Sequence, residues 1–275
     1  MKVLYVGDVV GKAGRKAVRD HVPRLRTELD LDFVVVNGEN AAHGFGITGA
    51  ICEQFFDLGV DVVTTGNHAW DQREIADYIQ GEPRLLRPVN YPEGTPGQGM
   101  GVFTVGGGTK RGGQKIVVIQ AMGRLFMDPL DDPFAAVSRA MLNKRLGETV
   151  DFVLIDLHGE ATSEKMAMGH YFDGRASMVV GSHSHIPTAD AQIFPGGTAY
   201  QTDAGMCGDY NSVIGMTKES AIARFTTKMP RQRLEPAAGE ATLCAVFVDS
   251  DDATGLARTI SPVRVGGRLM EVMPG

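Results

Sequence analysis

Cysteine is scarce in this chain: three residues in 275, Cys52, Cys207 and Cys244, all widely separated. They form no CxxC pair and no even-numbered framework, so a disulfide scaffold is not expected and the usage fits a reducing, cytoplasmic setting. No apolar run approaches the roughly 20 residues of a membrane span. The opening "MKVLYVGDVVG" carries one Lys and a short apolar run broken by Asp8; it is expected to lead straight into folded structure and not to act as a signal peptide. A basic excess is missing too: 27 Lys and Arg stand against 33 Asp and Glu, for a net charge of −6. That argues against a surface built to coat nucleic acid. A small anionic substrate stays compatible, because a bound metal supplies local positive charge.

What remains is an ordinary globular composition, 43% hydrophobic and 22% charged, enough for a sizeable core. "KVLYVGD" predicts a short buried strand. "GKAGRKAVRDHVPRLRTELD" follows with Val18, Val22, Leu25 and Leu29 at helical spacing, and Pro23 predicts a kink or break. "DFVVVNGEN" is a second apolar strand, and "TGAICEQFFDLG" a helix with Thr48 as N-cap and Gly59 as stop. "DVVTTGNH" is a third strand, and "DQREIADYIQ" a helix with Asp71 and Glu74 in capping-box spacing. This alternation predicts a parallel sheet with right-handed crossovers.

The middle changes character. Gly/Pro-rich turns "NYPEGTPGQGMG" and "VGGGTKRGGQ" flank the strand "GVFTV", which should pair with "KIVVIQAM" as a hairpin. "DPFAAVSRAMLNKRLG" predicts a helix capped by Asp132 with Pro133 at its first position. Strand "DFVLIDLHG", helix "TSEKMAMGHYFDG" and strand "ASMVVGSHSH" follow, and the remainder alternates like antiparallel strands. There is no internal repeat, low-complexity tract or charged linker. The expectation is a single α/β domain over 1–275, with two packed sheets and helices outside.

Polar residues concentrate where the apolar strands end. Asp8 follows the first strand, Glu39 and Asn40 the second, Asn67 and His68 the third; His158 follows "DFVLIDL", and His183 and His185 follow "ASMVV". Singly, each has a plain structural reading: loop acids or helix caps for Asp8 and Glu39, a turn for Asn67, a core histidine for His158. Together they are better explained as one site, because ligand sites in parallel α/β sheets form outside the carboxyl ends of the strands. In an extended chain His183 and His185 should point to the same side, and imidazole is the commonest metal ligand among side chains.

The segments "GDVV", "NGEN", "GNHAWD", "LHGE" and "GSHSH" resemble the calcineurin-like metallophosphoesterases over about residues 1–190. The wording "GDVVGKAGR", "NGENAAHGFGIT", "TTGNHAWDQ" and "GSHSHIPTAD" is closer to the bacterial YmdB-like branch, and the likeness continues through "TDAGMCGDYNSVIG". The resemblance implies a four-layer αββα sandwich with mixed sheets and a dinuclear metal site. Two departures from the wider superfamily stand out. Val10 occupies the position of a ligating histidine, and the second acid is Glu39 followed by Asn40. We therefore expect the Asn40 amide oxygen to replace the missing ligand.

This set provides for two metal ions, with Glu39 bridging, Asp8, Asn40 and His185 on the first, and Asn67, His158 and His183 on the second. Two such metals clamp a phosphoryl group and activate water. Without a cysteine ligand the donors suit iron, manganese or zinc; the resemblance implies iron or manganese. His68, fixed beside a ligating Asn67, is expected to be the general acid, with Asp71 or a dianionic substrate offsetting the repulsion of its charge by the metals. His43 is a weaker candidate for substrate contact. For Arg15 an exposed helical position competes with phosphate binding, and for Trp70 core packing competes with base stacking. The expected activity is metal-dependent phosphodiester hydrolysis; the YmdB-like resemblance implies 2′,3′-cyclic nucleotides. A phosphomonoesterase or phosphoprotein phosphatase is the alternative enzyme, and a regulatory phosphate-binding protein with little turnover the alternative class. The expected partner is a small phosphodiester, with neither bulk nucleic acid nor membrane; homo-oligomerisation is left open.

Overall fold

The computed structural model describes residues 1–105, 113–227, 229 and 233–275. The chain runs β1 (Lys2–Val6), β2 (Asp8–Val9), α1 (Gly11–Glu28), β3 (Phe33–Asn37), α2 (Gly49–Asp57), β4 (Val62–Thr64), α3 (Ile75–Gly81) and β5 (Leu85–Leu86). It continues through β6 (Met100–Val105), β7 (Gln114–Met122), α4 (Pro133–Ala140), β8 (Phe152–His158), α5 (Thr162–Tyr171) and β9 (Met178–Ser182). Then come β10 (Gln192–Ile193), β11 (Ala199–Gln201), β12 (Met206–Cys207), α6 (Lys218–Thr227), β13 (Leu243–Ser250) and β14 (Ala257–Val265).

Two six-stranded mixed sheets result, ordered β14-β13-β1-β3-β4-β5 and β10-β11-β9-β8-β7-β6. In each, four neighbouring strands are parallel: β1, β3, β4 and β5 in the first, and β11, β9, β8 and β7 in the second. Antiparallel strands complete the edges. The pleat explains the layers. In β1, Val3 and Tyr5 join Val35, Ile116, Leu154 and Met178 in a core between the sheets. Leu4 and Val6, on the other face, pack with Val18, Leu25, Ile51 and Phe55 of α1 and α2. Ile119, Ile155 and Val179 of the second sheet pack outward on Val137 of α4 and Met168 of α5. Burial on both faces is why these strands are nearly continuous apolar runs, and the order of layers is helix, sheet, sheet, helix.

Several local expectations change. Pro23 does not break α1, which spans it; Pro23 is exposed, so the turn where it removes a backbone donor lies on the solvent side of the helix. Thr48 and Asp132 do cap their helices, but α4 stops at Ala140. No side chain caps α3, because Asp71 receives a hydrogen bond from His68 instead. The β6–β7 hairpin forms as expected, while most of the "VGGGTKRGGQ" turn lies outside the described residues. In the later chain β11 is parallel to β9, and α6 breaks what was expected to be all strand. Among the described residues no helix is long and apolar enough to cross a membrane.

Candidate metal centre

The parallel strands of both sheets end at a common rim. Asp8 opens β2, which follows β1 and pairs with β12 in a small two-stranded sheet of its own, and the first sheet brings Glu39 and Asn40 just beyond β3 and Asn67 beyond β4. The second brings His158 as the last residue of β8, and His183 and His185 beyond β9. Ligand atoms of Glu39, His158 and His183 lie within 4.8 Å of one another, as do those of Asp8, Glu39 and His185. Glu39 belongs to both groups. His158 Nε2 is 2.8 Å from Asn67 Oδ1 and 3.1 Å from both Glu39 Oε1 and His183 Nδ1. Asn40 Nδ2 lies 3.1 Å from Glu39 Oε1 and 3.1 Å from His185 Nε2. All seven residues therefore meet in one cluster.

The histidine pair reaches it by a route other than strand alternation. β9 ends at Ser182, and His183 and His185 have φ of 96° and 65°. Both sit on the left-handed side of φ, which costs a non-glycine residue of order 1–3 kcal/mol. The surroundings hold them there: buried Asp203 accepts from the Ser184 and Gly205 amides and pairs with buried Lys165 at 2.7 Å. Glycine is required beside the cluster. A Cβ on Gly66 would stand 2.3 Å from Glu39 Oε2 and 2.4 Å from His158 Cδ2.

The outward nitrogen of each imidazole meets an acceptor. His158 Nδ1 is 2.9 Å from Ser182 Oγ, whose own proton goes to Asp156 Oδ1 at 2.8 Å. His185 Nδ1 donates to the Ile214 carbonyl at 2.8 Å, and His183 Nε2 lies 3.3 Å from Glu160 Oε2. These contacts leave the inward nitrogens of the neutral rings free to offer lone pairs, as ligating histidines require. Asp8 Oδ1 is buried without a hydrogen-bond partner. Facing lone pairs and an unpartnered carboxylate oxygen are a donor set that calls for a cation, so the residues fit a metal site.

Electrostatics agree. Burial pushes Asp8 up to about 6, only partly opposed by His185 and His158. Burial also raises Glu39, but the charge and hydrogen bond of His158, with help from His68, win and hold it at about 2. Burial lowers His158, yet Glu39 above all drives it up to about 9. His183, buried beside His158, is pushed down to about 3. Among the protein groups alone, one proton is thus held between Glu39 and His158, where a cation would replace it.

His68 lies beside this cluster. Its amide donates to Glu39 Oε2 at 3.2 Å, its Nδ1 is 2.9 Å from Asp71 Oδ2, and Phe45 packs edge-on at 5.1 Å between ring centroids. His43 is exposed and belongs to neither ligand group. Trp70 packs on the outer core and edge-on against Tyr91, the structural reading of that residue. Arg15 lines a separate groove.

Sequence reasoning missed the supporting shell. Asp156 accepts from Ser182, from Tyr5 across the sheets at 2.6 Å, and from Thr64 at 2.8 Å. The signal was present: an acid inside the apolar strand "DFVLIDLH", two residues before His158 and so on its face. Lys165 and Asp203 left no comparable pattern.

The layered sandwich and the carboxylate, amide and imidazole cluster at its strand ends define the class: a metallophosphoesterase fold. A 5′-nucleotidase from Candida albicans shares the fold, with a TM-score of 0.53 at 13% identity, covering 96% of this chain and 50% of that one. The chain belongs to the YmdB-like protein family, whose model matches residues 4–263. A 2′,3′-cyclic-nucleotide 2′-phosphodiesterase of Bacillus subtilis is 46% identical, over 96% of this chain and 97% of its own. The crystal structure of a novel phosphatase from Mycoplasma pneumoniae has a TM-score of 0.87 at 32% identity, covering 97% and 93%.

Proposed function

We propose that this chain is a cytoplasmic, metal-dependent phosphodiesterase that opens 2′,3′-cyclic nucleotides, with residues 1–275 as one catalytic domain. The observation that carries this reading is Glu39, one carboxylate shared by two groups of ligand atoms, in a chain 46% identical to an enzyme of that name. Asp8, Glu39, Asn40 and His185 would hold one metal, and Glu39, Asn67, His158 and His183 the other, with iron or manganese ahead of zinc. A metal pair in such a site supplies Lewis-acid polarisation of the phosphoryl group and activation of water. Asn40 directs Nδ2 toward Glu39 and His185; its ligand role calls for the opposite amide orientation, a half-turn of χ2.

The protein's own groups manage the proton. Asp71 accepts from Nδ1 of His68 and orients the ring, so that a proton carried on Nε2 would go to the leaving ribose oxygen. Opening the P–O2′ bond then yields a nucleoside 3′-phosphate. The test is metal-loaded protein with 2′,3′-cyclic AMP, with products resolved by chromatography. We expect 3′-AMP and little adenosine. Faster release of phosphate from monoesters would identify a phosphomonoesterase, and binding without turnover a regulatory protein.

Two variants probe the ligand set. Asn40→Ala should weaken one metal selectively, whereas Val10→Ala should leave metal content unchanged. Val10 is buried against Met206 and Met216, so its truncation should instead cost about 2 kcal/mol of stability. Metal analysis beside denaturant unfolding separates the two effects; an emptied site in Val10→Ala would refute the substitution of ligands. Asp156→Asn removes the charge behind Ser182 and His158. Chelator competition should show metal affinity reduced roughly 10–100-fold in the folded variant, and an unchanged affinity would remove Asp156 from the site.

A further inference from the structure

A groove of about 620 Å³ lies between α1 and α2, and none of the metal-centre residues lines it. Lys12, Arg15, Lys16 and Arg19 line one wall, at the spacing that puts four side chains on one helix face. Lys16 and Arg19 share Asp20. Lys12 and Arg15 have no acidic partner among the described residues. Arg15 is partly buried, and burial is what lowers its pKa, with no carboxylate opposing. In a chain of net charge −6, two adjacent unneutralised cations in a concave surface call for an anion.

The rest of the groove is different. Half-buried Leu58 forms an apolar floor with buried Phe55 behind it, and α2 adds the Gln54 amide and the Asp57 carboxylate. An anion alone has no use for this side. A ring with hydrogen-bonding edges does, and Asp57 accepts from an exocyclic amine while Gln54 both donates and accepts. Pockets of roughly 300–1,000 Å³ are of small-ligand size.

We propose that the groove is a nucleotide-binding site separate from the metal centre, with phosphates on Lys12 and Arg15 and the base over Leu58, its edge toward Gln54 and Asp57. None of the metal-centre ligands lines the groove, which makes the occupant a bound effector and not a substrate.

The experiment is calorimetric titration of metal-loaded protein with ADP and, separately, with inorganic phosphate. Wild type should bind one more equivalent of ADP per chain than Lys12→Ala/Arg15→Ala, or bind it at least tenfold tighter. Gln54→Ala should weaken ADP and leave phosphate unchanged. Turnover of a cyclic nucleotide without ADP should be equal in all three proteins, which also shows that the variants are folded. Identical ADP titrations in wild type and the double variant would overturn the proposal. Phosphate binding as tightly as ADP would reduce the groove to an anion site and overturn the assignment of a nucleotide. Loss of basal turnover in the double variant would put Lys12 and Arg15 in the metal-centre chemistry and overturn the separation.

Discussion

Glu39→Gln should lose most of its bound metal and nearly all of its activity. Glu39 is the residue common to both ligand groups, and its carboxylate is fully buried among three imidazoles. The substitution keeps the shape and removes the charge that holds two cations together. It also puts an amide donor where only acceptors fit, opposite Asn40 Nδ2 or the His68 amide. Loss of several kcal/mol of transition-state stabilisation corresponds to roughly 10³-fold or more in kcat. The fold should survive, because the metal rim lies outside the three main cores. The measurement is elemental analysis per chain beside kcat on a cyclic nucleotide, with circular dichroism as the control. Two metals per chain in this variant would disprove the bridging role.

Much of the frame was legible because it rests on periodicity. β1, β3, β8 and β9 are buried on both faces, so their sequences are nearly continuous apolar runs and stand out against the helices between them. The places where expectation failed share a cause: a side chain with two local uses serves the site. Asp71 sits at capping-box distance from Glu74 yet pairs with His68. His183 and His185 sit at strand spacing yet adopt positive φ, sustained by the buried Asp203–Lys165 pair with its backbone contacts and by the bonds of the His183 amide to Asp8 and of His185 to the Ile214 carbonyl. That pair joins residues 38 positions apart, and so does not register in any local window. Val10 shows the reverse: an apolar residue at a ligand position is explained by the small core it makes with Met206 and Met216.

His68→Ala should separate catalysis from metal binding. Its side chain belongs to neither ligand group, and its contact with Glu39 runs through the backbone amide, which alanine keeps. Metal content should therefore stay at the wild-type level. Loss of a general acid typically costs on the order of 10²–10⁴ in rate, and a ribose alkoxide should show the full penalty because it leaves poorly without a proton. A p-nitrophenolate needs no proton to leave, so the penalty on an aryl diester should shrink. Asp71→Asn should reproduce the same leaving-group dependence in milder form, because Asp71 orients the ring through Nδ1 and is not itself the proton donor. The measurement is kcat on both substrates, with metals counted in the same preparations. Equal losses on both would mean that His68 positions substrate and does not deliver a proton, and full activity on the cyclic nucleotide would remove it from the reaction.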